Sequence, residues 1–292
     1  MSRAVDAAFD TPYNVEKCRR LKGWKRSMEE LHTFAVLCYG ESPYLSDCVR
    51  SLLAQSVKSR IFLSTATPNP HIRRVAEEFG LPVIVNPNPP GIATDWQFAA
   101  EQCKTPYYTL AHQDDLYYPR YTERLLPLMA RSIIAFCDYE ELVGDRMRRN
   151  TPMLAVKRLL LWPFLFARSL RRTFAKRMIL RFGSAICCPS VMYNKARVSG
   201  FRFDPAFSVD LDWDAWLTLS ERDGAFSYRP DVLMAHRIHA DSETTRQIEN
   251  NGRHLEDRLL MERLWPGPVA AVLARLYKTS TDSNGGAKRG PA

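Results

Sequence analysis

Apolar side chains recur along the first half of this chain in two alternating rhythms. Short continuous runs, "TFAVLCY" (33–39), "RIFLST" (60–65), "LPVIVN" (81–86) and "PYYTLAH" (106–112), read as buried strands. Between them the spacing turns helical. In "YLSDCVRSLLAQSV", Leu45, Cys48, Val49, Leu52, Leu53 and Val57 fall on one face of a helix. In "TPNPHIRRVAEEFG", Ile72, Val75, Ala76 and Phe79 make the stripe; Asn69 suits the cap, Pro70 the first turn and Gly80 the stop. "IATDWQFAAEQC" reads as a third helix, and "SIIAFCDYEEL" (132–142) as a fifth strand. Strand–helix alternation of this kind predicts an α/β fold, a mostly parallel central sheet flanked by helices. Ligands of such sheets bind beyond the carboxyl ends of the strands. The loops 40–44, 64–69 and 112–115 occupy that rim.

After residue 142 the alternation stops and charge becomes informative. The chain has 41 Lys and Arg against 32 Asp and Glu, but eleven of the bases and one of the acids lie between Asp145 and Arg181. The rest of the chain is therefore near neutral, and the basicity belongs to one segment, 145–181, which reads as a basic helical insert. Its apolar block, with Trp162, Phe164 and Phe166, matches no nucleic-acid-binding motif, so no nucleic-acid partner is expected. Contact with an anionic membrane surface accounts for cationic and apolar character together; a solvated cationic face is the plainer reading, and both stay open. The organisation expected is an extension over 1–32, one domain over 33–265, and a polar, Gly-rich tail over 266–292 with little capacity to order. A late helix is expected from roughly Glu243 to Leu264. The start of the chain shows no secretory h-region and no run is long enough to span a bilayer, which makes a cytoplasmic location the default. Seven cysteines without a C-x-x-C pair, most in apolar runs, read as buried reduced thiols.

Three polar groups could carry chemistry. "HQDD" (112–115) ends the fourth strand, and paired carboxylates there suit a hard divalent cation; alternatively Asp115 caps the helix that follows. "DLDWDAW" (210–216) sets Asp210, Asp212 and Asp214 at a helix start, either as dipole partners or with one of them as a general base. "HRIH" (236–239) flanks Arg237 with His236 and His239: Arg suits a diphosphate, and an imidazole could complete a metal site shared with "HQDD".

Taken in order, "FAVLCYGESPYLSDCVRSLLAQSV", "HQDDLYYP", "DLDWDAWLTL" and "HRIHADSETT" resemble the motifs of a family 2 glycosyltransferase of the GT-A fold, over roughly residues 33–245. The resemblance implies an inverting, metal-dependent transfer of a sugar from a nucleotide-diphosphate donor of UDP or dTDP type to a hydroxyl. The acceptor implied is a glycan or lipid-linked saccharide of surface polysaccharide synthesis, at the inner face of the cell membrane. It makes Asp212 the catalytic base and Asp114, Asp115 and His239 ligands of Mn2+ or Mg2+. It assigns Tyr39, Gly40, Ser64, Thr65, Gly91, Asp95, Trp96, Gln113, Asp114 and Arg237 to the nucleotide-sugar, and Ser184, Trp213 and Asp214 to the acceptor side. Three departures stand out: "FLSTATPN" where members carry an Asp pair, His112 or Gln113 at the first acid of the metal motif, and Leu211 where a Glu is usual. Three other readings compete. A nucleotidyltransferase would want a basic Gly-rich loop after the first strand, and "YGESPYL" has no base; the altered nucleotide loop leaves room for a non-catalytic, membrane-associated nucleotide-sugar binder; and the basic 145–181 segment would be the route of nucleic-acid binding.

Overall fold

The computed structural model describes residues 30–239 and 252–275. Most of the expected extension, the first part of the expected late helix and the end of the tail lie outside the described residues.

The early alternation folds as its spacing predicts. Strand β1 (His32–Leu37) is followed by helix α1 (Leu45–Leu53), β2 (Arg60–Thr65), α2 (Pro70–Phe79), β3 (Val83–Val85), α3 (Ile92–Gln102) and β4 (Tyr107–His112). Helix α2 begins where its sequence says: Asn69 Oδ1 accepts from Ile72 N at 2.9 Å and Gly80 closes the helix in the left-handed region at φ 62°. Helix α1 buries Leu45, Cys48, Val49 and Leu52, while Leu53, placed on the same face by its spacing, is exposed at the last turn.

Beyond β4 come β5 (Leu116–Tyr117), α4 (Tyr121–Leu125), β6 (Ser132–Val143), β7 (Arg146–Arg148), α5 (Pro152–Leu160), β8 (Ser169–Leu170), α6 (Thr173–Met178), β9 (Val191–Asn194), α7 (Leu211–Ser220), β10 (Ala225–Ile238) and α8 (Gly252–Glu262). Among the described residues, ten strands make one sheet in the order β3-β2-β1-β4-β9-β6-β10-β5, with β7 on β6 and β8 on β10. β3, β2, β1 and β4 pair in parallel, as do β6 and β10. β9 runs antiparallel between β4 and β6, which leaves those two pointing the same way. The carboxyl ends of β1, β2, β4, β6 and β10 therefore share one edge. One core lies under the face covered by α3 and α7 and contains Trp213 and Trp216; the other lies under α1, α2 and α4.

The 145–181 segment is more than a helical insert. It holds α5 and α6, but also gives β7 and β8 to the sheet. Some of its bases are tied to the sheet: Arg149, itself exposed, pairs with the buried Glu140 at 2.7 Å, Arg158 with Asp138 at 2.9 Å, and Lys157 Nζ donates to Tyr139 Oη at 3.0 Å. Lys176 is fully buried, its Nζ donating to the Arg222 and Gly224 carbonyls at 2.6 and 3.2 Å. The described cysteines are all buried free thiols. No helix among the described residues is long and apolar enough to cross a membrane.

His32, fully buried in β1, has its ring nitrogens hydrogen-bonded to Ser59 Oγ at 2.9 Å and Thr109 Oγ1 at 3.0 Å. Burial pulls its pKa down from 6.5 to about 3. The unfolded chain takes up this proton near pH 6.5 and the folded chain does not until near pH 3, so the stability present above pH 6.5 is lost as pH falls towards 3. Denaturant unfolding should show the wild type losing about 2 kcal/mol more than His32→Gln between pH 7.5 and pH 5. Equal losses in both proteins would remove His32 as the cause.

Candidate active site

The carboxyl edge gathers the ends of β1, β4 and β10, and the gathering has a simple cause. After β4 the chain turns into β5, which pairs antiparallel with Met234 and Ala235 of β10. That pairing lays "HQDD" beside "HRIH". Asp114 Oδ1 accepts from Ser42 Oγ at 2.6 Å, in the loop after β1, and its Oδ2 is hydrogen-bonded to His239 Nε2 at 3.1 Å. The Asp114 carbonyl accepts from Arg237 Nε at 2.9 Å. The Arg237 guanidinium lies over the Tyr44 ring, 4.2 Å from its centroid, and the His239 ring sits 5.1 Å from the same tyrosine. Asp47 Oδ2 is 3.9 Å from Arg237 Nη2.

Asp115 takes a different part. It is fully buried, and its Oδ1 accepts from His236 Nδ1 and from Arg237 N, both at 2.9 Å. Burial alone would raise this carboxyl, but His236, His112 and the Arg237 N–H together hold it below the usual range. Burial likewise opposes charge on His236, yet Asp115 lifts that imidazole above its ordinary value. Asp115 therefore fixes the backbone of "HRIH" from below and does not cap the next helix. That helix starts at Tyr121 after Arg120, with no side-chain cap bond, because β5 intervenes. Among the described residues, Asp115 Oδ2 and His112 Nε2 are buried and find no hydrogen-bond partner.

A divalent ion fits this donor set. One carboxylate and one imidazole are ordinary donors for Mn2+, and carboxylate oxygen suits Mg2+. Among the described residues no three His, Cys, Asp or Glu side chains cluster as a metal site. Asp114 and His239 converge, while the Oδ1 of Asp115 is committed to His236 and Arg237, so a bound ion would need water or diphosphate oxygens to complete its shell.

Other residues assigned to the donor shape the rim. The Gln113 side-chain amide brackets Tyr39, accepting from its N at 3.1 Å and donating to its carbonyl at 2.9 Å, so the exits of β1 and β4 are tied together. Gly40 turns the chain at φ 60°, a conformation glycine adopts without strain, and its carbonyl accepts from Asn69 Nδ2 at 2.8 Å. Ser64 and Thr65 are buried at the end of β2, and Thr65 Oγ1 accepts from Thr67 N at 3.0 Å. Asp95 braces the start of α3: its carboxylate accepts from Asn86 Nδ2 at 2.7 Å and from Gly91 N at 3.3 Å. Trp96 stands 5.4 Å from the His112 ring.

Asp212 lies in the first turn of α7, and its Oδ2 accepts from Ser184 Oγ at 3.3 Å. Burial pushes the Cys187 and Cys188 thiols up, and the carboxylates of both Asp115 and Asp212 act in the same direction, so the 184–188 loop feels both ends of the site. Two expected acceptor-side residues point elsewhere. Trp213 is fully buried, with Nε1 donating to the Leu180 carbonyl at 3.1 Å; Asp214 is buried and held by Arg263. Both belong to the packing of α7, since on a helix neighbours of Asp212 cannot share its face.

Sequence reasoning missed Ser42, Tyr44 and Glu256, and it singled out His236 without the partner, Asp115, that the fold gives it. The Glu256 carboxylate, on α8, accepts from Ser208 N, Ser208 Oγ, Val209 N and Asp210 N at 2.9–3.0 Å. It caps the start of α7 and so sets the turn that carries Asp212. Ser42 and Tyr44 carry a local signal, polar residues in a rim loop; Glu256 carries none.

The family model of the glycosyltransferase-like family 2 matches residues 31–255. No curated protein matches. Among solved structures, S. aureus TarS 1–349 in complex with UDP-GlcNAc is 12% identical with a TM-score of 0.58, over 85% of this chain and 71% of that one. Mannosyltransferase PcManGT from Pyrobaculum calidifontis, with GDP-Man and Mn2+, gives 12% and 0.54 over 89% and 76%. Glucosyl-3-phosphoglycerate synthase from Mycobacterium tuberculosis gives 12% and 0.53 over 81% of both chains. At such identities the likeness is one of fold. With the family model matched over most of its length, the chain belongs to the glycosyltransferase-like family 2 and has the GT-A fold.

Proposed function

We propose that the protein transfers a sugar from a nucleotide-diphosphate sugar, of UDP or dTDP type, to a hydroxyl group, with inversion at the anomeric carbon. The observation that carries this reading is the meeting of Asp114, Arg237 and His239 at one point of the carboxyl edge, from positions 123 and 125 residues apart in sequence. A nucleoside diphosphate leaves as the glycosidic bond breaks, and negative charge grows on it. Arg237, oriented by the Asp114 carbonyl and the Tyr44 ring, offers its remaining N–H donors to those oxygens. Asp114 and His239 would hold Mn2+ or Mg2+, which supplies further charge neutralisation when bound. Asp212, steadied by Ser184, accepts the proton of the attacking hydroxyl. A single displacement from the face opposite the leaving group inverts the configuration. Tyr39, Gly40, Gln113, Gly91, Asp95 and Trp96 border the nucleotide-sugar, and Ser184 borders the acceptor. The acceptor proposed is a glycan or lipid-linked saccharide of surface polysaccharide synthesis, used on the cytoplasmic side of the membrane.

Two assays on the full chain test the reading. Thermal unfolding against a panel of nucleoside diphosphates and nucleotide-sugars should show a donor-specific rise that grows with Mn2+. The donor so identified should be slowly hydrolysed, water standing in for the acceptor. A thermal shift without hydrolysis in any condition would leave a binding protein; no shift with any nucleotide would remove the donor reading altogether.

A further inference from the structure

We propose that the outer surface of the 156–182 segment docks on an anionic lipid bilayer. Fifteen large hydrophobic side chains are exposed among the described residues, and seven of them fall here: Val156, Leu159, Trp162, Leu165, Phe166, Phe174 and Phe182. Leu165, Phe166 and Phe174 are 79%, 82% and 68% exposed, and Arg168, Arg171 and Arg172 stand exposed between them. Soluble surfaces seldom group apolar side chains this way without a partner.

The exposure does not come from loose attachment. Leu154, Leu161, Phe164, Leu170, Ile179 and Leu180 are buried beneath the same segment, β8 pairs with β10, and Lys176 locks onto the Arg222 and Gly224 carbonyls. The segment is thus fixed with one apolar side in the core and a second facing out. The outer aromatics hold one another: Trp162 meets Phe166 edge-on at 6.0 Å, and Phe182 lies 5.4 Å from Trp265.

Charge selects the occupant. Bases that anchor the segment, such as Arg158 and Lys176, are spent on partners in the fold, whereas Arg171 and Arg172 make no ion pair among the described residues. A second copy of this surface would cover the apolar groups but bring two strongly cationic segments together. A nucleic acid would satisfy the arginines but leave Leu159 and Leu165 in water. An anionic bilayer answers both: arginines at the headgroups, Leu and Phe below them. No helix among the described residues is long and apolar enough to cross, and the amphipathic make-up of the segment suits the interface.

Phe182 is two residues from Ser184, whose hydroxyl reaches Asp212. Docking would bring the base side of the site to the bilayer and favour an acceptor carried on a lipid. That consequence rests on the transferase reading; the surface itself does not.

Vesicle flotation of the full chain tests it. Wild type should float with mixed phosphatidylglycerol–phosphatidylcholine vesicles and remain below with phosphatidylcholine alone. Leu165→Ser/Phe166→Ser/Phe174→Ser should weaken partitioning at least about 30-fold. Arg171→Gln/Arg172→Gln should weaken it roughly 25-fold, about fivefold per arginine. Both variants should keep the wild-type melting temperature and its donor hydrolysis in solution, so a failure here is separate from a failure of the transferase reading. The proposal is overturned if wild type ignores anionic vesicles, if neutral vesicles bind it equally, or if the variants bind as wild type does. It is also overturned if light scattering shows a dimer that the triple variant loses, or if the arginines prove to hold co-purifying nucleic acid.

Discussion

Replacing Asp212 with Asn should lower donor turnover by about three orders of magnitude and leave donor affinity near its wild-type value. A positioned general base is worth roughly 10²–10⁴ in rate. The amide keeps the shape of the carboxylate and can still accept from Ser184, but it cannot take a proton. Asp212 has the setting a base needs. It lies in the first turn of α7, where the helix dipole favours the ionised form. Its own turn is fixed from outside the site by the four hydrogen bonds that Glu256 accepts around Ser208–Asp210. Its neighbours Trp213 and Trp216 are fully buried, so the variant should fold. The measurement is hydrolysis of the donor under saturating conditions, with thermal shift for donor binding. Near-normal turnover with donor still bound would take the role of base away from Asp212 and leave it to another group of the rim.

The legible part of this protein is the local part. Strands β1, β2 and β4 and helices α1–α3 each declare themselves within a dozen residues, through runs, stripes and the Asn69–Gly80 punctuation, and each occurs close to where it is expected. The edge that carries the site follows from the same alternation. What eluded the sequence is set by pairing across distance. β5 is two residues long and exists because β10 is there to pair with it. Without it Asp115 reads as a helix cap; with it Asp115 becomes the buried anchor of His236 and Arg237. β9 has no period to announce it, only four buried residues after a Pro, yet it joins the two parallel halves of the sheet. The acids of "DLDWDAW" show the same limit. Their spacing cannot say which faces outward, and Arg263, distant in sequence, draws Asp214 away from the site. Nor does the clustered charge of 145–181 reveal that several of its bases are fasteners and that its outer face sets large apolar side chains among exposed arginines.

Asp114→Asn should weaken donor affinity in the presence of Mn2+ by about 100-fold or more, and should abolish the difference that Mn2+ makes. The substitution acts through charge and not through shape. An asparagine can still accept from Ser42 Oγ and stay beside His239, so the loop after β1 and the end of β10 keep their contact. What it lacks is the negative charge that a divalent ion requires of at least one ligand in so sparse a protein donor set. Loss of mere supporting groups around bound metals costs 10–100-fold in affinity, so loss of the charged ligand belongs at or beyond the top of that range. A 100-fold loss is about 2.7 kcal/mol. Titration of the donor with and without Mn2+, on wild type and variant, gives both numbers directly. Asp115→Asn is the informative companion. Its carboxylate holds the Arg237 N–H and His236 from inside the protein, so the loss of its charge should lower the melting temperature along with donor affinity. Asp114→Asn should change affinity while the ligand-free melting temperature stays put. If the two variants exchange these signatures, Asp114 is the structural acid and Asp115 the one that meets the ion.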